Sequence, residues 1–268
     1  VGSEMCIRDR SYRHKIQHLP YRVISLTGSS AHMKVVDPYS NKEKEMISFV
    51  SNDYLGLSHH PEVIKAGIDA LEQYGAGAGA SPLIGGHNFL HEQLEQEIAH
   101  FLKNEYAITY TSGYAANCST LLAMMGKEDI AIMDMFTHAS VFDGCLCTNT
   151  KRFLHNNIDS LVHVLNNSKN FKNRFVIIDG VYSQDGDIAF LDQIYAVCKE
   201  HDAFLIVDDA HGIGVLGKTG RGIIEDYGLL DKVDMITGTF SKAFGCVGGY
   251  AIARKEIITL LRYYSRQN

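Results

Sequence analysis

Tryptophan is absent from the 268-residue chain, and proline occurs only four times. No apolar run reaches the roughly 18–20 residues that a membrane-spanning helix needs. Cationic excess is missing too: 25 Lys+Arg stand against 31 Asp+Glu, a formal charge of −6, which argues against a nucleic-acid binder. The six cysteines (Cys6, Cys118, Cys145, Cys147, Cys198, Cys246) include no C-x-x-C pair. With no secretory leader, they read as reduced thiols of a cytoplasmic protein. The C-x-C of Cys145 and Cys147 is tighter than zinc spacing. What is plentiful is apolar content, 46%, and glycine, 24 residues. That apolar fraction excludes a disordered chain and supplies a large core.

Residues 1–10, VGSEMCIRDR, read as a non-native leader. Residues 11–50 read as an N-terminal helix and hairpin segment, with the turn-rich DPYSNKEKE between two apolar stretches. PEVIKAGIDALEQYG has helical spacing with Pro61 at its start and Gly75 at its end. GAGAGASPLIGG is a glycine-rich loop, and HNFLHEQLEQEIAHFL a second helix. From there to residue 268, short continuous apolar runs (YAITYT, DIAIMD, RFVIIDG, AFLIVDD, VDMITGT, GGYAIA) alternate with helical stretches. This pattern predicts an α/β domain over 51–268, a mainly parallel sheet with helices on both faces. In such sheets, ligands bind beyond the carboxyl ends of the strands. KEIITLLRYYSRQN has helical spacing without a stop signal, so the chain reads as cut within a longer protein.

GIGVLGKT, Gly212–Thr219, fits the P-loop pattern letter for letter, with Lys218 as the phosphate lysine. Its context argues for a glycine-rich turn instead. DDAH separates it from the preceding strand, and Gly220 and Gly222 disfavour a helix starting at Lys218.

The chemistry centres on Lys242, set among small residues just after an apolar strand in GTFSKAFG. Beside the reading as a surface loop lysine stands that of a Schiff-base lysine, whose amine becomes nucleophilic in an apolar site. Pyridoxal 5'-phosphate (PLP) would then need an acid for its ring nitrogen, a flat group for its ring face and an anion cradle. Asp208, ending the buried strand AFLIVDD, suits the first role, or else caps a helix. The amides of Ser112, Gly113 and Tyr114, at a strand-to-helix turn, suit the third, or form an ordinary turn. His138, after another strand, could lie on the ring or act as a cap. His211 stands three residues after Asp208 at the same strand end.

SNDYLGL, TSGYAAN, HASVFDG, DGVYSQDGD, VDDAHGIGVLGKTGRG and GTFSKAFG, in this order, resemble the α-oxoamine synthase family of fold-type-I PLP enzymes. The resemblance implies the large domain of that fold, without its small C-terminal domain of about another hundred residues. It implies that Lys242 carries the cofactor, Asp208 pairs with its ring nitrogen and His138 stacks on its ring. Ser183 and His211 would lie near the phenolic oxygen, Thr239 with the Gly113 and Tyr114 amides would help hold the cofactor or its phosphate, and Asn52 would approach the amino-acid carboxylate. The implied reaction condenses a small α-amino acid with an acyl-CoA, releasing carbon dioxide and giving an α-amino ketone, in a homodimer. Aminotransfer and aldol-type cleavage on the same fold are the competing activities.

Two positions depart from the family pattern. Pro82 stands where arginine is common, and Thr137 where asparagine is common. His87 and His91 are expected four apart on one helix, but HNFLH lacks the glutamate of a metalloprotease motif, so no metal is expected.

Overall fold

The computed structural model describes residues 23–268; residues 1–10, Cys6 and the first part of the segment 11–50 lie outside the described residues. Three short strands, β1 (Ile24–Ser25), β2 (His32–Val36) and β3 (Glu43–Ile47), form a small antiparallel sheet. The β2–β3 turn is held by Asp37, whose carboxylate accepts from the amides of Tyr39 and Ser40. These amide contacts, Ser40 first, keep the Asp37 carboxyl below its usual pKa.

The main sheet contains β4 (Ala107–Tyr110), β5 (Ile130–Asp134), β6 (Asn149–Phe153), β7 (Arg174–Asp179), β8 (Phe204–Asp208), β9 (Met235–Thr239) and β10 (Gly249–Ala253). Their spatial order is β4-β10-β9-β8-β7-β5-β6. β10 runs antiparallel to both its neighbours, β4 and β9, while β5 to β9 pair in parallel.

The continuous apolar strands follow from burial on both faces. Leu205 and Val207 of β8 face one core with Val176, Ile178 and Ile236, covered by Leu161 and Ile194 of two helices. Ile206 points the other way, into a core with Ile177 and Met235 under Leu121 and Ile258. Each such fully buried Val, Leu or Ile contributes about 1.5–3 kcal/mol from burial. Strand alternation thus produces two cores from one uninterrupted run.

Helix boundaries match local chemistry. Pro61 opens the helix Pro61–Tyr74, and Gly75 closes it at φ +80°. The next helix starts later than the spacing predicts, at Phe89, because Asn88 caps it: its side chain accepts from the amides of Leu90 and His91. His87 therefore precedes the helix, and His91 turns back to accept from the Asn88 amide at 3.2 Å. The expected i,i+4 histidine pair on one helix is not formed; the two rings stack at 5.7 Å instead. Among the described residues, His87 lies near Glu92 and Glu95 rather than pairing with His91 as a ligand set. Arg262 already neutralises Glu95 at 2.9 Å.

Candidate active site

β7, β8 and β9 end side by side in Asp179, Asp208 and Thr239, with Asp179 paired directly to Asp208 and Thr239 two residues beyond the β9 partner of Asp208, Thr237. Beyond them is a cavity of about 230 Å³. Ser112, Gly113, Tyr114, His138, Asp208, His211, Thr239 and Lys242 all line it, so eight residues singled out in the sequence come together. The two strand-end acids form its floor. Asp208 is buried, accepting from the Ala210 amide at 3.0 Å and from Asn117 Nδ2 at 2.6 Å. Asp179 accepts from the His138 amide at 3.1 Å. Burial, and then the Asp208 charge, push the Asp179 carboxyl well above its usual pKa.

Lys242 stands on a tight loop after β9. The Phe240 amide donates to Gly248 O, the Cys246 amide to Phe240 O, and the Gly245 amide to Lys242 O. Gly245, at φ +67°, packs so closely on the SNDYLGL segment that a Cβ there would lie 2.3 Å from Ser58 N. Burial lowers the Lys242 pKa, and the charges of Asp208 and Asp179 offset part of that effect. Lys242 Nζ contacts His211 Nε2 at 2.6 Å. Burial first, and then the Lys242 charge, bring the His211 pKa down to about 4, so this imidazole is neutral at pH 7.

The turn expected to cradle an anion lines the same cavity as the lysine. Ser112 caps the helix Gly113–Met124 by accepting from the Ala115 amide at 3.0 Å. The amides of Gly113 and Tyr114 then fall in the first turn, where a helix supplies no acceptor. A Cβ on Gly113 would approach Thr239 Cβ to 2.8 Å, so glycine lets this turn close against the lysine strand. His138 caps the helix Ala139–Gly144, the second of the two readings, and also lines the cavity. The Tyr114 ring meets it edge-on at 5.9 Å, and the Tyr114 hydroxyl donates to Asp143.

Two expected site residues do not line this cavity. Ser183 is exposed and lines a neighbouring cavity of about 440 Å³, whose wall His138 shares. Asn52 does not line the lysine cavity; it accepts from the Tyr54 hydroxyl at 3.2 Å, and Tyr54 in turn contacts His211 Nδ1 at 2.6 Å. Pro82 borders a separate cavity with Arg262, away from the lysine. Cys145 is buried, with its thiol pushed up to about 12 by burial, while Cys147 is exposed.

The P-loop pattern forms no P-loop. Residues 211–220 are a succession of turns, and the next helix begins at Ile223 rather than at Lys218. The turns wrap Asp209, which is fully buried and accepts from the Ile223 amide at 2.9 Å. Glycine is required where the backbone meets this carboxylate. At Gly222, φ is +82° and a Cβ would lie 1.8 Å from Asp209 Oδ2. Gly222→Ala is expected to cost about 2 kcal/mol, read as a lower urea midpoint at unchanged slope.

A second polar cluster supports the His138 loop. Asp134, fully buried at the end of β5, accepts from the Phe136 and Asn156 amides and from His155 Nδ1, each at 2.9 Å. His155 Nε2 meets Asp187 Oδ2 at 2.6 Å, and its ring stacks on Phe136 at 4.5 Å. Burial works against charge on His155, but the hydrogen bonds to Asp134 and Asp187 outweigh it and raise the pKa.

Residues 44–268 match the family described as aminotransferase class I and II. The chain is 39% identical over 262 residues to the 8-amino-7-oxononanoate synthase of Saccharophagus degradans, covering 97% of this chain and 65% of that protein. Against 8-amino-7-oxononanoate synthase 1 of Bacillus subtilis it is 42% identical over 225 residues, covering 83% and 57%. A serine palmitoyltransferase variant from S. paucimobilis, solved with bound PLP, superposes with a TM-score of 0.91 at 32% identity, over 98% of this chain and 65% of that one. The chain thus spans 57–65% of the length of these relatives.

Proposed function

The chain belongs to the aminotransferase class I and II family, and from that membership we propose that it carries PLP on Lys242. We propose further that it serves the decarboxylative condensation of a small α-amino acid with an acyl-CoA, giving an α-amino ketone. One observation carries the reading. A partly buried lysine, two buried strand-end carboxylates and the unengaged first-turn amides of a helix line a single cavity. The donor set fits the cofactor. Neither Asp179 nor Asp208 has an ion-pair partner among the described residues, and a buried carboxylate is costly without a cation such as a protonated ring nitrogen.

When bound, the cofactor supplies an electron sink for the carbanion at the amino-acid Cα. Asp208 would hold its ring nitrogen protonated, and the Gly113 and Tyr114 amides with Thr239 would take its phosphate. His138 would lie against the ring, with His211 and Ser183 near the phenolic oxygen and Asn52 towards the amino-acid carboxylate. Lys242, its pKa lowered by burial, would take the Cα proton. The named activities of the relatives support condensation over aminotransfer. A homodimer and residence in the cytoplasm belong to the same reading. Ile64, Ile68 and Leu71, exposed along the helix Pro61–Tyr74, offer an apolar stripe for a subunit contact.

The test is borohydride reduction of the PLP-loaded protein followed by peptide mapping. The pyridoxyl group is expected on Lys242; its appearance on any other lysine overturns the assignment. In the complete enzyme, carbon dioxide and free thiol should appear together when an amino acid meets an acyl-CoA. Keto-acid formation without thiol would indicate aminotransfer instead.

A further inference from the structure

Three hydrogen bonds run outward from the lysine. Lys242 Nζ lies 2.6 Å from His211 Nε2, His211 Nδ1 lies 2.6 Å from the Tyr54 hydroxyl, and that hydroxyl donates to Asn52 Oδ1 at 3.2 Å. With Lys242 as the ammonium, which has no acceptor capacity, Nε2 presents its lone pair to it. A neutral imidazole with a bare Nε2 carries its proton on Nδ1. The Tyr54 oxygen accepts that proton's hydrogen bond, and its own proton is committed to Asn52. Each of the three contacts then joins one donor to one acceptor. The reverse polarity fails at both ends: an Nε2–H would face an ammonium, and the phenol oxygen would face the Asn52 carbonyl with no proton between them.

We propose that Tyr54, backed by Asn52, is a positioning residue that fixes His211 as its Nδ1–H tautomer and so aims the Nε2 lone pair at Lys242. The inference rests on the reading of Lys242 as the cofactor lysine. Its geometry involves only side chains of this chain. The charged or titratable groups facing His211 are Lys242 from the β9–β10 loop, Asp208 from β8, His138 from the β5 side and Tyr54 from the SNDYLGL segment. Of these, Tyr54 alone contacts Nδ1. Burial raises the Tyr54 pKa, so the phenol keeps its proton through the neutral range. The consequence for Lys242 is direct. A lone pair facing Nζ stabilises the ammonium, so losing it would favour the free amine at lower pH.

The experiment compares wild type with Tyr54→Phe, which keeps the ring and removes the hydroxyl. In the cofactor-free protein at pH 7, the ¹⁵N shifts of His211 should report Nδ1–H in wild type. In the variant, the Nδ1–H to Nε2–H ratio should fall about tenfold. Separately, the rate of borohydride-trapped pyridoxylation of Lys242 is followed against pH. Its acidic midpoint should move down by about one pH unit in the variant. Asn52→Ala should move both readouts the same way by less. Circular dichroism and the melting temperature report whether each variant is folded. An unchanged tautomer in folded Tyr54→Phe overturns the proposal, as does an unmoved midpoint. If pyridoxyl never reaches Lys242 while the tautomer shifts as stated, the cofactor reading fails and the positioning role of Tyr54 stands.

Discussion

Asp208→Asn is expected to leave a folded protein while lowering turnover of the complete enzyme by about a hundredfold to ten-thousandfold. The range follows from the ~3–5 kcal/mol lost when one partner of a buried charge pair is removed. An amide cannot hold a ring nitrogen in its protonated form, and that charge keeps the cofactor electron-withdrawing. Steady-state kinetics with saturating PLP checks it, and turnover within tenfold of wild type would sink the role given to Asp208. The cofactor-free protein offers a second readout. Asp179 has its folded pKa raised, by burial first and then by Asp208. A group raised in this way contributes stability that is complete below its unfolded pKa, about 3.9, and lost as pH rises through the folded value. Removing the Asp208 charge brings the folded value down, so the variant's decline should begin at the same pH, about 4, and end at a lower one. The pH at which the decline ends is the quantity to compare. The asparagine has one acceptor where Asp208 uses two, for Ala210 and Asn117, and that loss lowers stability at every pH.

His155→Gln is expected to destabilise the protein by about 3 kcal/mol, roughly 6–12 °C in melting temperature. Asp134 is fully buried, and His155 is its cationic partner. Both imidazole nitrogens face carboxylate oxygens, so the ring is held as imidazolium between Asp134 and Asp187. The pH dependence has a definite sign. The folded pKa lies above the unfolded value near 6.5, so the contribution is complete below about pH 6.5 and disappears as pH rises through the folded pKa. Wild type should therefore lose stability as pH rises above about 6.5, and His155→Gln should lose that portion of the slope. Because the cluster joins the loop before His138 to the one bearing Ser183, PLP affinity should weaken as well. A melting temperature within 2 °C of wild type would contradict the account.

Much of the site could be read from the sequence because strand ends are visible there. Lys242, Asp208, His138, His211 and Thr239 each follow a continuous apolar run, and a parallel sheet gathers such ends. Residues acting from helix interiors or distant segments were harder to find. Asn117 reaches Asp208 from inside a largely buried helix, where the one signal is an amide in its second turn. Tyr54 lies in a segment far from His211 in sequence, and only folding joins them. Asp179 was available at the end of RFVIID but was overshadowed by Asp208. The direction of β10 also escaped the pattern, since burial on both faces hides strand orientation. Its spacing held the clue: residues 240–248 are too few for a parallel crossover, which takes a dozen or more. The helix start at Phe89 was masked by histidines at 87 and 91, although Asn88 is a strong cap.

That antiparallel strand determines how the lysine can move. Lys242 sits at the tip of a hairpin whose two legs, β9 and β10, are interior strands of the sheet. Carrying the backbone of residue 242 towards or away from a ligand would break the bonds that close this hairpin, Phe240 to Gly248 and Cys246 to Phe240. Travel is therefore left to the four-carbon stem, swinging on a fixed mount. Amide hydrogens of Phe240 and Cys246, bonded within the hairpin, should exchange as slowly as those of the central strands whether or not the amine is engaged.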